Sequence, residues 1–126
     1  LIERAKQEGR HLLEPEALNL LEEFGIPVPR HILAQTEDEA LEAAESVGWP
    51  VVMKIVSPDI LHKTESGGVI LNLQNQGQVS KAFARLSSLG SPGHRIEGVL
   101  VYPFQGHDVE LSVGRVRDSQ FGPVLT

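Results

Sequence analysis

The sequence has no cysteine. That excludes a disulfide frame and a thiolate metal site, and it fits a reducing, cytoplasmic setting. Positive charge is in short supply: 11 basic residues face 17 acidic ones, a net charge of −6. Free nucleic acid and an anionic membrane are therefore poor partners. An anionic small ligand remains open, because local lysines matter more than the total. No run is long and apolar enough to span a bilayer, and no signal peptide opens the chain. There is no initiating methionine either; the first residue is Leu1, and Phe121–Thr126 stops inside a strand-like run. The sequence thus reads as a piece of a longer protein. What is present is ordinary for a globular chain. With 126 residues, 40% apolar and 22% charged, it can build one domain with a real core.

Residues 1–13 mix charge with scattered leucines and read as a linker or lead-in helix. A helix is predicted from Glu14-Pro15, with proline in the first turn. Ala17, Leu20, Leu21 and Phe24 follow at helical spacing, and Gly25 closes it. Ile26-Pro27-Val28-Pro29 is extended, and His31–Ala34 is a short strand. Thr36 and Glu39 form a capping box for a helix whose Ala40, Ala43, Ala44 and Val47 share one face. Gly48 ends it. Val79, Ala82, Phe83, Leu86 and Leu89 mark another helix, stopped by Gly90. Val99-Leu100-Val101 then lies in a buried strand within Ile96–Tyr102. Further on, Val109, Leu111 and Val113 alternate with polar residues, and Phe121–Leu125 is placed to return antiparallel after a turn near Asp118.

The stretch Pro50–Leu73 connects these halves. Val51–Val56 is a β-branched strand with Lys54 in its middle, where burial is costly unless an anion meets the charge. Ser57-Pro58 interrupt it, a polar passage carries His62 and Lys63, and Gly67-Gly68 lead into the strand Val69–Leu73. Two lysines with paired glycines fit a phosphate cradle, in which backbone N–H groups approach an anion closely. A snorkelling lysine and an ordinary Gly-Gly turn fit the same residues. The Ser57–Ser66 passage is longer than two adjacent strands require, and the glycines would let its base flex. From His31 to Tyr102 the predicted order is β-α-β-β-α-β, a split, ferredoxin-like α/β arrangement of α+β layers with both helices on one face. A hairpin beyond it would begin a second unit.

The runs Phe24–Pro29, Pro50–Lys54, Ser57–Thr64 with Gly67-Gly68-Val69, and Glu110 with Val113-Gly114, Asp118 and Phe121-Gly122-Pro123, together resemble the ATP-grasp part of ADP-forming acyl-CoA synthetases. These are relatives of the succinyl-CoA ligase β chain. The resemblance implies an ATP-grasp first subdomain at 14–102 and the start of a truncated second one at 103–126. It implies ATP or ADP as ligand, with Lys54 at the α-phosphate and adenine edge; Lys63, Gly67 and Gly68 belong to the phosphate cradle already read from the residues, where Lys63 would also stabilise a phosphorylated His62. Val99, Leu100, Val101 and Tyr102 would form the hinge under adenine, and Glu110 would accept from the ribose hydroxyls. Tyr102 stands where many members carry an acidic or amide residue; it can stack or donate but cannot copy a carboxylate. His62 would relay a phosphoryl group as phosphohistidine, neutral imidazole being a good nucleophile near pH 7. His11, His31, His94 and His107 have no such context. Mg²⁺ is implied, with its ligands beyond Thr126 and none within the fragment.

The implied reaction interconverts acyl-CoA, ADP and phosphate with acid, CoA and ATP. CoA-binding and ligase domains, in the same protein or a partner subunit, would be partners. The fragment alone is expected to be inactive and prone to self-association. A synthetase-like arm of a protein lysine acetyltransferase, or a non-catalytic nucleotide-sensing module, would share these motifs.

Overall fold

A computed structural model describes residues 1–60, 63–106 and 109–126. Helix α1 spans Ile2–Gln7 and α2 spans Glu14–Glu23. Pro15 sits in the first turn of α2, where its missing N–H costs nothing. Glu16 reaches back to accept the Leu13 N–H at 2.8 Å, and Arg10 in turn grips Glu16 through two bonds of 2.7 and 2.9 Å. The lead-in segment is thereby tied to the start of α2.

Strand β1 (Ile32–Ala34) is followed by α3 (Glu37–Val47). The expected capping box is in place: Glu39 N–H donates to Thr36 Oγ1 at 3.2 Å, and Glu39 accepts from the Thr36 N–H at 3.3 Å. Strands β2 (Val51–Val56) and β3 (Val69–Leu73) come next, then α4 (Gln76–Ser87) and β4 (Gly98–Pro103). Helix α4 begins at Asn75, whose side chain accepts the Gln78 N–H at 3.0 Å. It also stops earlier than the apolar spacing suggests, leaving Leu89 and Gly90 outside it.

These strands form one sheet in the order β1-β4-β2-β3, and each neighbouring pair is antiparallel. β1 and β2 are therefore parallel to each other with β4 between them, and α3 connects them. β3 and β4 are likewise separated by β2 and joined through α4. The two helices touch each other on one face of the sheet. There Val51, Met53, Ile55, Val99 and Val101 pack against Ala40, Ala43 and Ala44 of α3 and Val79, Ala82 and Leu86 of α4. The small alanines let α3 lie close to the strands. Alternation along a strand sends Val52, Lys54, Val56, Leu100 and Tyr102 to the opposite face. Val52, Val56 and Leu100 are buried as well, which is why the strand sequences are apolar throughout rather than alternating.

Strands β5 (Arg115–Asp118) and β6 (Gly122–Leu125) make a separate hairpin. Its turn is set by Asp118, whose Oδ1 accepts from the N–H groups of Gln120 and Phe121. The hairpin is shorter than the alternation implies, since residues 109–114 are not in a strand. Gly114 pairs with Thr126 through two backbone hydrogen bonds of 2.8 Å, extending the hairpin by one pair beyond β5 and β6. Alternation of side chains does not by itself make a backbone ladder. Among the described residues no helix is long and apolar enough to cross a membrane.

Candidate functional site

Lys54 sits in mid-strand on the sheet face opposite α3 and α4. Its ammonium donates to Glu14 Oε1 at 2.9 Å, and Lys63 Nζ donates to the other oxygen, Oε2, at 2.8 Å. Lys54 Nζ also lies over the ring of Tyr102, 5.1 Å from its centroid. One carboxylate from the first turn of α2 thus gathers two ammonium groups from two other elements, with an aromatic face beside them. The side chains of Lys54, Lys63 and Glu14 keep 26%, 19% and 26% of their surface exposed, so the cluster is mostly desolvated yet reachable.

The charges are mutually supported. Burial pushes the Glu14 carboxyl up, but the hydrogen bonds from Lys63 and Lys54 outweigh it and hold the group below the ordinary carboxylate range. Burial likewise pushes Lys54 down, and its interactions with Tyr102 and Glu14 more than reverse that. Burial raises the Tyr102 phenol, with Lys54 opposing. At neutral pH Lys54 is therefore an ammonium ion, Glu14 a carboxylate and Tyr102 a neutral phenol.

The connection after β2 is anchored on both flanks. Ser57 Oγ accepts from the Asp59 and Ile60 N–H groups at 3.1 and 3.2 Å, and Asp59 accepts the Arg95 N–H at 2.7 Å. On the far side, the Gly68 and Gly67 N–H groups donate to the carbonyls of Lys63 (2.6 Å) and Thr64 (3.2 Å). Both glycine amides are thus engaged inside the turn rather than directed at an anion. Gly67 supplies a positive φ of 73°. At Gly68 a Cβ would lie 2.6 Å from Ile55 Cγ2 and 3.0 Å from the Lys63 carbonyl oxygen. The pair therefore makes a tight turn against β2 and fixes the base of the connection. Glycine at position 68 is thus required by the closeness of β2. His62 lies outside the described residues, as do Leu61, His107 and Asp108.

Of the hinge residues, Val99 and Val101 face the helices, while Leu100 and Tyr102 face the lysine side. Val99, Leu100 and Val101 are paired on both sides, with β1 and with β2. Pairing with β1 ends at Val101, so the backbone from Tyr102 onward leaves that ladder. Glu110 is exposed on the passage before β5, away from any strand. Sequence reasoning missed Glu14 altogether. Its only signal was an acidic residue in a first helical turn, which marks a helix start and not a site.

A cavity of about 670 Å³ lies nearby, among Arg4, Arg10, Leu13, Glu16, His31 and Leu33. Neither lysine lines it. Arg4 and Arg10 are matched by Glu8 and Glu16, and Arg95 and Glu97 also line the cavity. Among the described residues no group of three His, Cys, Asp or Glu side chains could hold a metal ion; they do not by themselves fit a magnesium site.

A family model described as ATP-grasp domain matches residues 4–126. The β subunit of acetate–CoA ligase [ADP-forming] I from Pyrococcus furiosus is 42% identical over 128 residues, which take in 99% of this chain and 55% of that subunit. Among solved structures, the dinucleotide-forming acetyl-coenzyme A synthetase 1 of Ca. Korarchaeum cryptofilum, in complex with coenzyme A and Ca-AMPCP, superimposes with a TM-score of 0.90. It is 41% identical, and the match covers 98% of this chain and 56% of that one. A second structure of that synthetase, with coenzyme A and Mg-AMPPCP and its phosphohistidine segment pointing towards the nucleotide-binding site, matches with a TM-score of 0.78. It is 38% identical, covering 99% of this chain and 53% of that one. The chain spans about half the length of these relatives.

Proposed function

The chain belongs to the ATP-grasp family, and on that premise we propose that it forms the nucleotide-binding part of an ADP-forming acyl-CoA synthetase. The observation that carries this reading is the meeting of Lys54 and Lys63 on one carboxylate beside Tyr102. Paired ammonium groups in a mostly desolvated setting are chemistry for a polyphosphate. Lys54 would contact the α-phosphate, Lys63 a further phosphate, and Gly67 and Gly68 would hold the turn that presents Lys63. Val99–Tyr102 would underlie the base, with only the backbone from Tyr102 onward placed to pair with it, and Glu110 would accept from the ribose. Tyr102 already has Lys54 on its ring, so it would seat the lysine as well as border the base. Magnesium would accompany the nucleotide on ligands outside residues 1–126. Residues 14–102 would serve as one wall of the cleft and residues 103–126 as the start of the other.

In the complete enzyme, phosphate attacks the acyl carbon of acyl-CoA and the thiol leaves as CoA. A histidine nitrogen then takes the phosphoryl group from the acyl phosphate, releasing the acid. His62 would then take the phosphoryl group from that first histidine, whose imidazole leaves, and give it up when an oxygen of the ADP β-phosphate attacks phosphorus and the His62 imidazole leaves in turn. The phosphohistidine segment named in the matched synthetase structure supports histidine-borne phosphoryl transfer in the complete enzyme. Neutral imidazole suits it, because it is nucleophilic near pH 7 and its phosphoramidate still transfers readily.

Incubating the full-length protein with labelled ATP, followed by mass spectrometry of acid-labile phosphate, tests the reading. Label is expected on His62, and His62→Ala should abolish ATP formation from acyl-CoA, ADP and phosphate while sparing acyl-phosphate formation. Wild-type turnover in His62→Ala, with label only on another histidine, overturns the relay role.

A further inference from the structure

We propose that Glu14 is the positioning residue of the two phosphate-binding lysines, holding Lys54 and Lys63 as a preformed pair that stays in place when nucleotide enters. This rests on the nucleotide reading above. The three residues come from unrelated places: Glu14 lies 40 positions from Lys54 and 49 from Lys63. Two like charges brought to one spot repel each other, so they stay together only with an anion in reach of both. Glu14 supplies it, with one oxygen on each ammonium.

The backbone that carries this carboxylate is placed independently of the lysines. It stands in the first turn of α2, where unpaired helix N–H groups favour an anion. That turn is braced by Glu16 on the Leu13 N–H and by Arg10 on Glu16. Each ammonium has three N–H groups. Glu14 takes one from each and Tyr102 also engages Lys54, so each ammonium keeps at least one for phosphate oxygens.

The alternative is a placeholder, a carboxylate that occupies the phosphate position and is expelled by the ligand. Expulsion would strand a partly buried carboxylate without its two partners, a costly state. That favours a group that stays.

The two ideas differ in sign, and binding to the full-length protein separates them. Calorimetry with Mg·ATP and with adenosine would be run on wild type, Glu14→Gln, Glu14→Asp, and Glu14→Gln in a Lys54→Met/Lys63→Met background. Glutamine keeps the shape but offers one acceptor oxygen, and turns an amide NH₂ toward the second lysine. Losing one charge-assisted contact should weaken ATP binding by about ten- to a hundredfold. Adenosine, which has no phosphate, should bind as before, and aspartate should lie between wild type and glutamine. In the double-methionine background the Gln substitution should cost almost nothing. In turnover, the nucleotide KM should rise more than kcat falls.

Unchanged or tighter ATP binding by Glu14→Gln overturns the proposal, tighter binding being the placeholder's signature. Equal losses for ATP and adenosine also overturn it, since they mark a merely structural residue. Should the glutamine variant not fold, aspartate carries the same comparison between ATP and adenosine. A wild-type protein that binds no ATP brings down the nucleotide reading itself, and this inference with it.

Discussion

At the residue scale, Lys54 shows how a buried charge is made tolerable. A lysine in mid-strand is legible in the sequence, and so is its need for an anion; the identity of that anion is not. Gly68 shows the converse. Its glycine character is legible, yet the reason for it is a contact with Ile55 on the neighbouring strand. Gly68→Ala places a methyl 2.6 Å from Ile55 Cγ2, so β2 or the Lys63 turn has to shift. Overpacking of this kind costs about 1–3 kcal/mol. The urea midpoint should fall accordingly, and ATP affinity of the full-length protein should weaken as Lys63 is displaced. A variant with unchanged midpoint and affinity would show that the turn yields without cost.

At the scale of elements, the capping box at Thr36 and the alanine face of α3 follow from spacing alone, because both are contacts within a turn of helix. The join between the lead-in segment and α2 is different, since Arg10 bridges Glu8 and Glu16. The Arg10 guanidinium, helped by the Leu13 N–H and opposed by burial, holds the Glu16 carboxyl at about 2 against an ordinary 4.5. A lowered folded-state value means that Glu16 stabilises the fold fully above the ordinary value and loses that contribution as pH falls toward 2. Thermal melts across this acid range should show a steeper loss for wild type than for Glu16→Gln. Parallel slopes would mean the bridge contributes nothing to folding.

At the scale of the molecule, the apolar surface is unevenly placed. Leu111, Val113 and Phe121, around the hairpin, are 87%, 84% and 80% exposed. A two-stranded hairpin cannot bury its own apolar residues, and exposed apolar patches with open strand edges invite association. Residues 1–126 on their own should therefore self-associate as concentration rises, read by light scattering, and Leu111→Ser/Phe121→Ser should reduce it. A concentration-independent monomer would count against this.

The sequence by itself determined the elements of the sheet domain, their order along the chain, the Thr36–Glu39 cap and the motifs that mark the family. All of these are local: a strand, a turn or a cap is settled by residues within one or two turns of one another. It read too much into the alternation at Val109–Val113, which lies outside any strand, because a period of two in the side chains does not by itself make a backbone ladder. Only the tertiary structure decided that β4 lies between β1 and β2, that Gly68 closes against Ile55, and that Glu14 meets both lysines. Those outcomes depend on how distant segments come together once the chain closes over its core. A carboxylate 40 residues from Lys54 leaves no trace in the spacing of the residues around that lysine.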